Sequence, residues 1–256
     1  MMLEWILLFL AGFAGGMLNS IAGGGSFITF PALMMAGVPP IQANATNTYA
    51  SCAGYISGAL GFRQDINQTK RQLIFTVTGS LIGGALGAYL LLTVDDSQFM
   101  NAIPWLLLFA TLLFIFGSRI TQLLGYLAGE QSSQVLWVSA LIALCLVGVS
   151  AYGGFFNAGL GVIVLSYLVI AGYSDINQMN GLKLLISSCV SLIAIVIFVW
   201  EGAIDWERGS IVMLGTLLGG YCAARVSRNI KQSYVKNFVA LFSIALTAYF
   251  FFDVYA

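Results

Sequence analysis

The sequence predicts an all-α polytopic membrane protein. Three observations carry that reading. The 256 residues are 59% hydrophobic with a mean hydropathy of +0.93. Only 8% are charged, where a soluble domain carries about a quarter; so few charges cannot coat a water-soluble globule of this size. Apolar runs near the roughly 20 residues that a membrane helix needs follow one another along almost the whole chain. The 29 glycines fit too, since glycine is commoner in membrane helices than in soluble ones. Ten basic and ten acidic residues give zero net charge, without any histidine. Nucleic acid is therefore not an expected partner, because phosphate binding needs a basic face. The missing histidine removes the usual general base and the commonest nitrogen ligand of metals.

The elements follow in order. Met1–Gly16 holds Glu4 and no Lys or Arg, unlike the positive start of a cleaved signal, so Trp5 onward is read as the first helix. The expected spans are Trp5–Ala22, Ala45–Phe62, Gln72–Val94, Ile103–Leu124, Val135–Tyr152, Phe155–Gly172, Leu182–Trp200, Gly209–Ala224 and Phe238–Phe252. Ser26–Gly37 is too short to cross upright. It is expected as a short tilted helix or as a re-entrant segment, which membranes tolerate where protein or water covers it. The hydrophilic breaks are 63–71, 95–101, 125–134, 173–178, 201–208 and 225–237. Cys52, Cys145, Cys189 and Cys222 all lie in apolar stretches without metal-ligand spacing, and are read as small hydrophobes. Trp5, Trp105, Trp137, Trp200 and Trp206 fall near span ends, as interfacial anchors do.

An internal repeat organises these spans. Gly79-Ser80-Leu81-Ile82-Gly83-Gly84 matches Gly215-Thr216-Leu217-Leu218-Gly219-Gly220, an offset of 136. Ala22-Gly23-Gly24-Gly25 matches Ala158-Gly159-Leu160-Gly161 at the same offset, and Ala36-Gly37 matches Ala171-Gly172 at 135. The chain therefore reads as two transmembrane repeats, 1–128 and 129–256. Charge suggests their relation, because basic loops stay cytoplasmic. Arg63, Lys70 and Arg71 mark one first-half loop, whose second-half counterpart holds Glu201, Asp205 and Glu207 with Arg208 alone. The next loop reverses this: Asp95 and Asp96 face Arg225, Arg228, Lys231 and Lys236. Swapped bias predicts an inverted-topology repeat of about five plus five helices, both termini outside, with Arg119, Lys183 and the 173–178 loop at or near the inner side. Four plus four with re-entrant segments is the alternative, which would leave the halves parallel.

Inverted repeats with broken helices place substrate sites near the midplane, where the halves meet. The interruptions are Gly23-Gly24-Gly25-Ser26, followed by Pro31, and Gly153-Gly154 with Gly159 and Gly161. Glycine lets backbone N–H groups approach a ligand, and helix N-termini favour anions. Around them lie Asn19, Ser20, Ser26, Asn44, Thr46, Asn47, Asn157, Asn177 and Asn180, which can donate to oxyanion oxygens without burying a charge. Close helix packing is the competing reading of the glycines; it is preferred for Gly83-Gly84-x-x-Gly87 and Gly219-Gly220, which have few polar neighbours. Lys183 stands near the start of an otherwise apolar helix. Ionisable residues in membrane segments are functional candidates, although a lysine can also snorkel to the headgroups. With no deep Asp or Glu, neither a carboxylate proton relay nor a cation site is visible.

Asn19-Ser20-Ile21-Ala22-Gly23-Gly24-Gly25-Ser26, Pro31-Ala32-Leu33, Gly37 and Ala43-Asn44-Ala45-Thr46-Asn47 resemble the TauE/SafE family, the sulfite exporter-like membrane permeases. Phe155-Phe156-Asn157-Ala158-Gly159-Leu160-Gly161, Gly172 and Gly181-Leu182-Lys183-Leu184-Leu185 look like the family's second-half counterpart, with a thinner glycine run and Gly181 where Thr is common. The resemblance covers nearly the whole chain. It implies an integral inner-membrane protein carrying small sulfur-containing anions such as sulfite or organosulfonates.

The expected function is a secondary transporter, an exporter by that resemblance, of a small sulfur-containing or organic anion, working by alternating access at the repeat interface. The substrate-binding residues are expected to be Asn19, Ser20, Gly23, Gly24, Gly25, Ser26, Thr46 and Asn47 from one half, and Asn157, Gly159, Gly161, Asn180 and Lys183 from the other. A passive anion channel and a non-transporting scaffold are the alternatives. No enzyme pattern, cofactor motif or metal-ligand set is legible. The expected partners are the anion and the bilayer, with homo-oligomerisation left open, and the expected place is the cell (inner) membrane, crossed several times.

Overall fold

The computed structural model describes residues 2–66, 70–128, 135–226 and 232–255. Among them the chain forms ten helices and no strand: α1 (Met2–Ala22), α2 (Ser26–Met35), α3 (Pro40–Gly61), α4 (Lys70–Leu92), α5 (Asp96–Ala128), α6 (Val135–Phe155), α7 (Leu160–Ile170), α8 (Ile176–Trp200), α9 (Trp206–Val226) and α10 (Gln232–Tyr255). The proposed boundary between repeats, much of the basic 225–237 stretch, and the side chains of Ser20, Arg119 and Trp137 lie outside the described residues. Large apolar side chains such as Leu7, Leu90, Leu144, Leu241 and Phe252 are exposed along the outer faces, as lipid-facing residues must be. The protein is a membrane protein.

Two helices are short. At 1.5 Å per residue, the 21 residues of α1 extend about 31 Å, while the 10 of α2 extend about 15 Å. The expected span 155–172 is not one crossing helix, because Phe155 ends α6 and the 11-residue α7 starts only at Leu160. Both long-short pairs turn at a left-handed glycine, Gly23 at φ +79° and Gly159 at φ +80°, a conformation that L side chains rarely take. Beyond the turn α2 folds back on α1, since a methyl at Gly25 would collide with the Gly15 carbonyl and lie 2.8 Å from Asn19 Cβ. Both short helices end alike. The amides of Ala36 and Val38 donate to the carbonyls of Ala32 and Leu33, and those of Ala171 and Tyr173 to Tyr167 and Leu168. The starts of α3 and α8 also correspond, Ala43 N–H donating to Pro39 and Met179 N–H to Asp175.

Side-chain contacts show which helix ends lie together. Arg208, opening α9, pairs with Glu4 of α1 at 2.8 Å and with Asp205 at 2.9 Å. Asp205 N–H donates to Thr46 of α3 at 2.9 Å, and Ile41 N–H donates to Asp96 at the start of α5 at 3.0 Å. Tyr255, closing α10, donates to the Asn101 carbonyl of α5 at 2.9 Å. The starts of α1, α3, α5 and α9 and the last residue of α10 thus share one end, rich in carboxylates. Because α3 starts where α1 starts, the α1–α2 hairpin returns to the end it came from. Arg63 and Arg71 mark the opposite, basic end, where the close of α7 meets the start of α4.

Glycines set the tightest helix pairs. Gly12 and Gly16 of α1 abut the backbone of Val212 and Thr216 in α9, and Gly215 and Gly219 abut Phe9 and Phe13 in return. Gly83 and Gly87 of α4 abut Val147 and Ala151 of α6 in the same way. In each pair the numbers rise together, so the helices run parallel. These are small-xxx-small faces, as the sequence suggests for Gly83, Gly87 and Gly219. Between the two pairs α3 packs against α8, and α5 packs antiparallel to α10.

Candidate functional site

The two turns meet in the interior. Gly161, the second residue of α7, would place a methyl 3.3 Å from Gly23 Cα and 3.5 Å from Lys183 Cδ. Asn157, in the gap between α6 and α7, is 1% exposed. Its Oδ1 accepts from Ser26 Oγ at 3.2 Å and from Tyr55 OH at 2.8 Å. Its Nδ2 donates to Ser191 Oγ at 3.5 Å. One amide thus joins the start of α2, the middle of α3 and the middle of α8. Asn19 lies beside this group, half-buried, near the Tyr55 hydroxyl.

Lys183 enters from α8. It is 4% exposed, and its Nζ donates to Asn180 Oδ1 at 3.1 Å. Among the described residues no carboxylate pairs with it. An ammonium offers three protons, and removing an ion from water without a counter-charge is expensive. The burial speaks against simple snorkelling. The corresponding position in α3, one repeat offset earlier, is Asn47. Asn47 Oδ1 accepts from Thr29 Oγ1, while its Nδ2 is buried without a partner. Asn44, equivalent to Asn180, donates to the Phe155 carbonyl at 3.0 Å and leaves its Oδ1 unpaired. So α3 presents Asn-x-x-Asn where α8 presents Asn-x-x-Lys.

The expected residues thus divide. Ser26 and Asn157 bond directly; Gly161 lies beside both Gly23 and Lys183; Asn180 holds Lys183; Asn47 is buried on the same helix as Tyr55. Gly24 and Gly159 lie in the two turns, their carbonyls accepting from Phe27 and Val162 N–H at 3.2 and 3.0 Å. Gly25 serves close packing on α1 instead of opening the helix. Thr46 stands apart, its hydroxyl oxygen occupied by the Asp205 amide near the acidic end. The Ser20 side chain is outside the described residues. Tyr55, Ser191 and Thr29 were not among the expected residues. Tyr55 and Ser191 are themselves one repeat offset apart, a correspondence that the duplication could have revealed.

The chain matches the family described as sulfite exporter TauE/SafE over residues 8–250. It belongs to the TauE/SafE family. Relatives of this TauE/SafE chain include a protein of Haemophilus influenzae called "Probable membrane transporter protein", 29% identical over 248 residues, 96% of this chain and 94% of that protein. YfcA of Escherichia coli K12, also called a probable membrane transporter protein, is 27% identical over 251 residues, 96% of this chain and 89% of its own. ORF9 of Sinorhizobium sp, under the same description, is 30% identical over 242 residues, covering 93% and 89%. No solved structure matches the chain. The TauE/SafE match takes in both glycine turns and every expected site residue, and the names of these relatives describe transporters, not enzymes.

Proposed function

We propose that this TauE/SafE protein is a secondary transporter that carries a small sulfur-containing or organic oxyanion outward across the inner membrane, with its site where the two glycine turns meet. The observation that carries the reading is Lys183, buried, with no carboxylate partner among the described residues, and beside Gly161 where it meets Gly23. Two neutral donors lie on the helices that meet there: Asn47 Nδ2 of α3, without a partner among the described residues, and the Ser191 hydroxyl of α8, which accepts from Asn157 Nδ2 and keeps its own proton. Such donors fit oxyanion oxygens. The family's description supports sulfite or a related sulfonate as cargo, and export as direction.

The proposed machinery is two five-helix repeats, 1–128 and 129–256, of opposite orientation. Several features support it. The long-short-long-long-long order recurs, and the turn hydrogen bonds recur at the offset of the sequence repeat. The parallel pair α1 with α9 has its counterpart in α6 with α4. Thr111 of α5 and Thr247 of α10, equivalent positions in the two halves, meet each other at 3.2 Å, as residues beside a two-fold axis do. By the bias of basic residues to the cytoplasm, the end with Arg63 and Arg71 faces inward and the end with Glu4, Asp96 and Asp205 faces outward.

The test begins with thermal unfolding of purified protein in sulfite, thiosulfate, sulfonates and carboxylates, because a ligand of the folded form raises apparent stability. The stabilising anion is then followed into proteoliposomes. A carrier shows saturable uptake that is accelerated by the same anion on the far side. Flux without saturation or trans-stimulation indicates a channel, and no response to any anion overturns the reading.

A further inference from the structure

A hollow lies away from the glycine turns. At the basic end a cavity of about 350 Å³ opens between α4, α6 and α7. Its walls include Arg71, Thr76 and Phe75 of α4, Ile142 of α6, and Tyr167 and Leu168 of α7. Arg71 is exposed and pairs with no carboxylate among the described residues. Tyr167 is 6% exposed and Thr76 7%, and both line the cavity. A guanidinium and two hydroxyls thus share one cavity wall, a donor set that suits oxyanion oxygens.

The repeat supplies an internal control. The turn hydrogen bonds equate Tyr167 with Ala32, Leu168 with Leu33 and Tyr173 with Val38, and the repeat offset equates Thr76 with Val212. Leu33, Val38 and Val212 are all within 4% of full burial. At the acidic end the counterpart positions hold apolar side chains, with Ala32 half-buried. The fold does not demand hydroxyls at positions 76 and 167.

We infer that this cavity binds an oxyanion carried on an apolar body, its head on Arg71, Thr76 and Tyr167 and its body against Phe75, Ile142 and Leu168. The volume favours an ion with a body: a water occupies about 30 Å³, and a bare oxyanion would fill little of the space. Such a ligand is either a free organic anion or the headgroup and upper chain of an anionic lipid. The site is separate from the one at Lys183 and does not depend on it.

The test is calorimetric titration of delipidated, detergent-purified protein with hexanesulfonate, in the wild type and in Lys183→Ala. Native mass spectrometry of the mildly extracted protein is run alongside. Arg71→Gln, and the double variant Thr76→Val with Tyr167→Phe, each weaken hexanesulfonate binding on the order of tenfold in both backgrounds, the scale of a lost hydrogen bond to a charged group. Melting curves confirm that the variants fold. A phospholipid that is retained by wild type and lost in Arg71→Gln names the lipid as the source; hexanesulfonate binding without retained lipid names a free anion. Affinity unchanged by these substitutions, or no binding by wild type of either probe or lipid, overturns the inference. Loss of transport in Lys183→Ala bears only on the central site.

Discussion

Lys183 holds its charge deep among apolar neighbours with one side-chain acceptor, and that makes it the most informative single position. Replacing it with alanine is expected to weaken anion binding about tenfold or more, the scale of a charge-assisted hydrogen bond; normal flux in proteoliposomes from a well-folded variant would remove it from the site. Asn157 acts differently, as a joint. Asn157→Leu leaves the Tyr55, Ser26 and Ser191 hydroxyls without their common partner, and each orphaned group costs about 1–3 kcal/mol. A clear drop in melting temperature is expected, and an unchanged melt would show that the amide holds nothing together. Gly159→Ala forces a side chain into the left-handed region, costing about 1–2 kcal/mol, and sets its methyl 2.6 Å from Ala110 Cβ; it too lowers the melting temperature. Much of this was legible in sequence, because only glycine makes such turns cheaply and Asn157 sits among them. Thr46 adjoins Asn47 but faces elsewhere: one residue along a helix turns about 100°, which carries Thr46 to the face that meets the Asp205 amide. Tyr55 was missed because a tyrosine flanked by Gly54 and Ile56 reads as one more anchor among eleven tyrosines.

At the level of elements, two parallel pairs, α1 with α9 and α4 with α6, are bound through backbone contact at glycines. Gly219→Leu on α9 is expected to disrupt folding, measured as loss of the monodisperse peak in detergent, because its side chain would occupy the Phe13 backbone. Gly148→Leu on α6 is the control, for nothing lies within 4 Å of a methyl there; equal damage from both would mean that bulk alone matters. These faces were readable as packing motifs because they lack polar neighbours. The shortness of α7 was not. A run from Val162 to Ile170 that is apolar but for Ser166 gives no hint that the helix begins only after a left-handed turn at Gly159, and hydropathy counts residues without seeing where a helix starts.

The whole molecule is segregated by charge. Arg208 is gripped by Asp205 and Glu4, whose hydrogen bonds raise its pKa above the ordinary arginine value, so it stays cationic and ties α1 to α9 at the acidic end. The pair is partly exposed, and such bridges contribute little on their own. In a cysteine-free background, Ser97→Cys at the acidic end is expected to react with an impermeant maleimide in intact cells, whereas Gln64→Cys reacts only after the membrane is opened; the reverse pattern would invert the assigned orientation. Opposite orientation of the halves was suggested by sequence charge alone, but the folding back of α2 on α1 was not, since it rests on Gly25 meeting Gly15 across a turn. One asymmetry has a wider effect. A carrier built from matched halves changes state by letting each half adopt the other's shape. In the proposed carrier, with Asn47 in one half and Lys183 in the other, that exchange would relocate a positive charge with no counterpart coming back. The empty carrier would then have a preferred resting posture, and an arriving anion, by neutralising the lysine, would bring the two postures closer to balance.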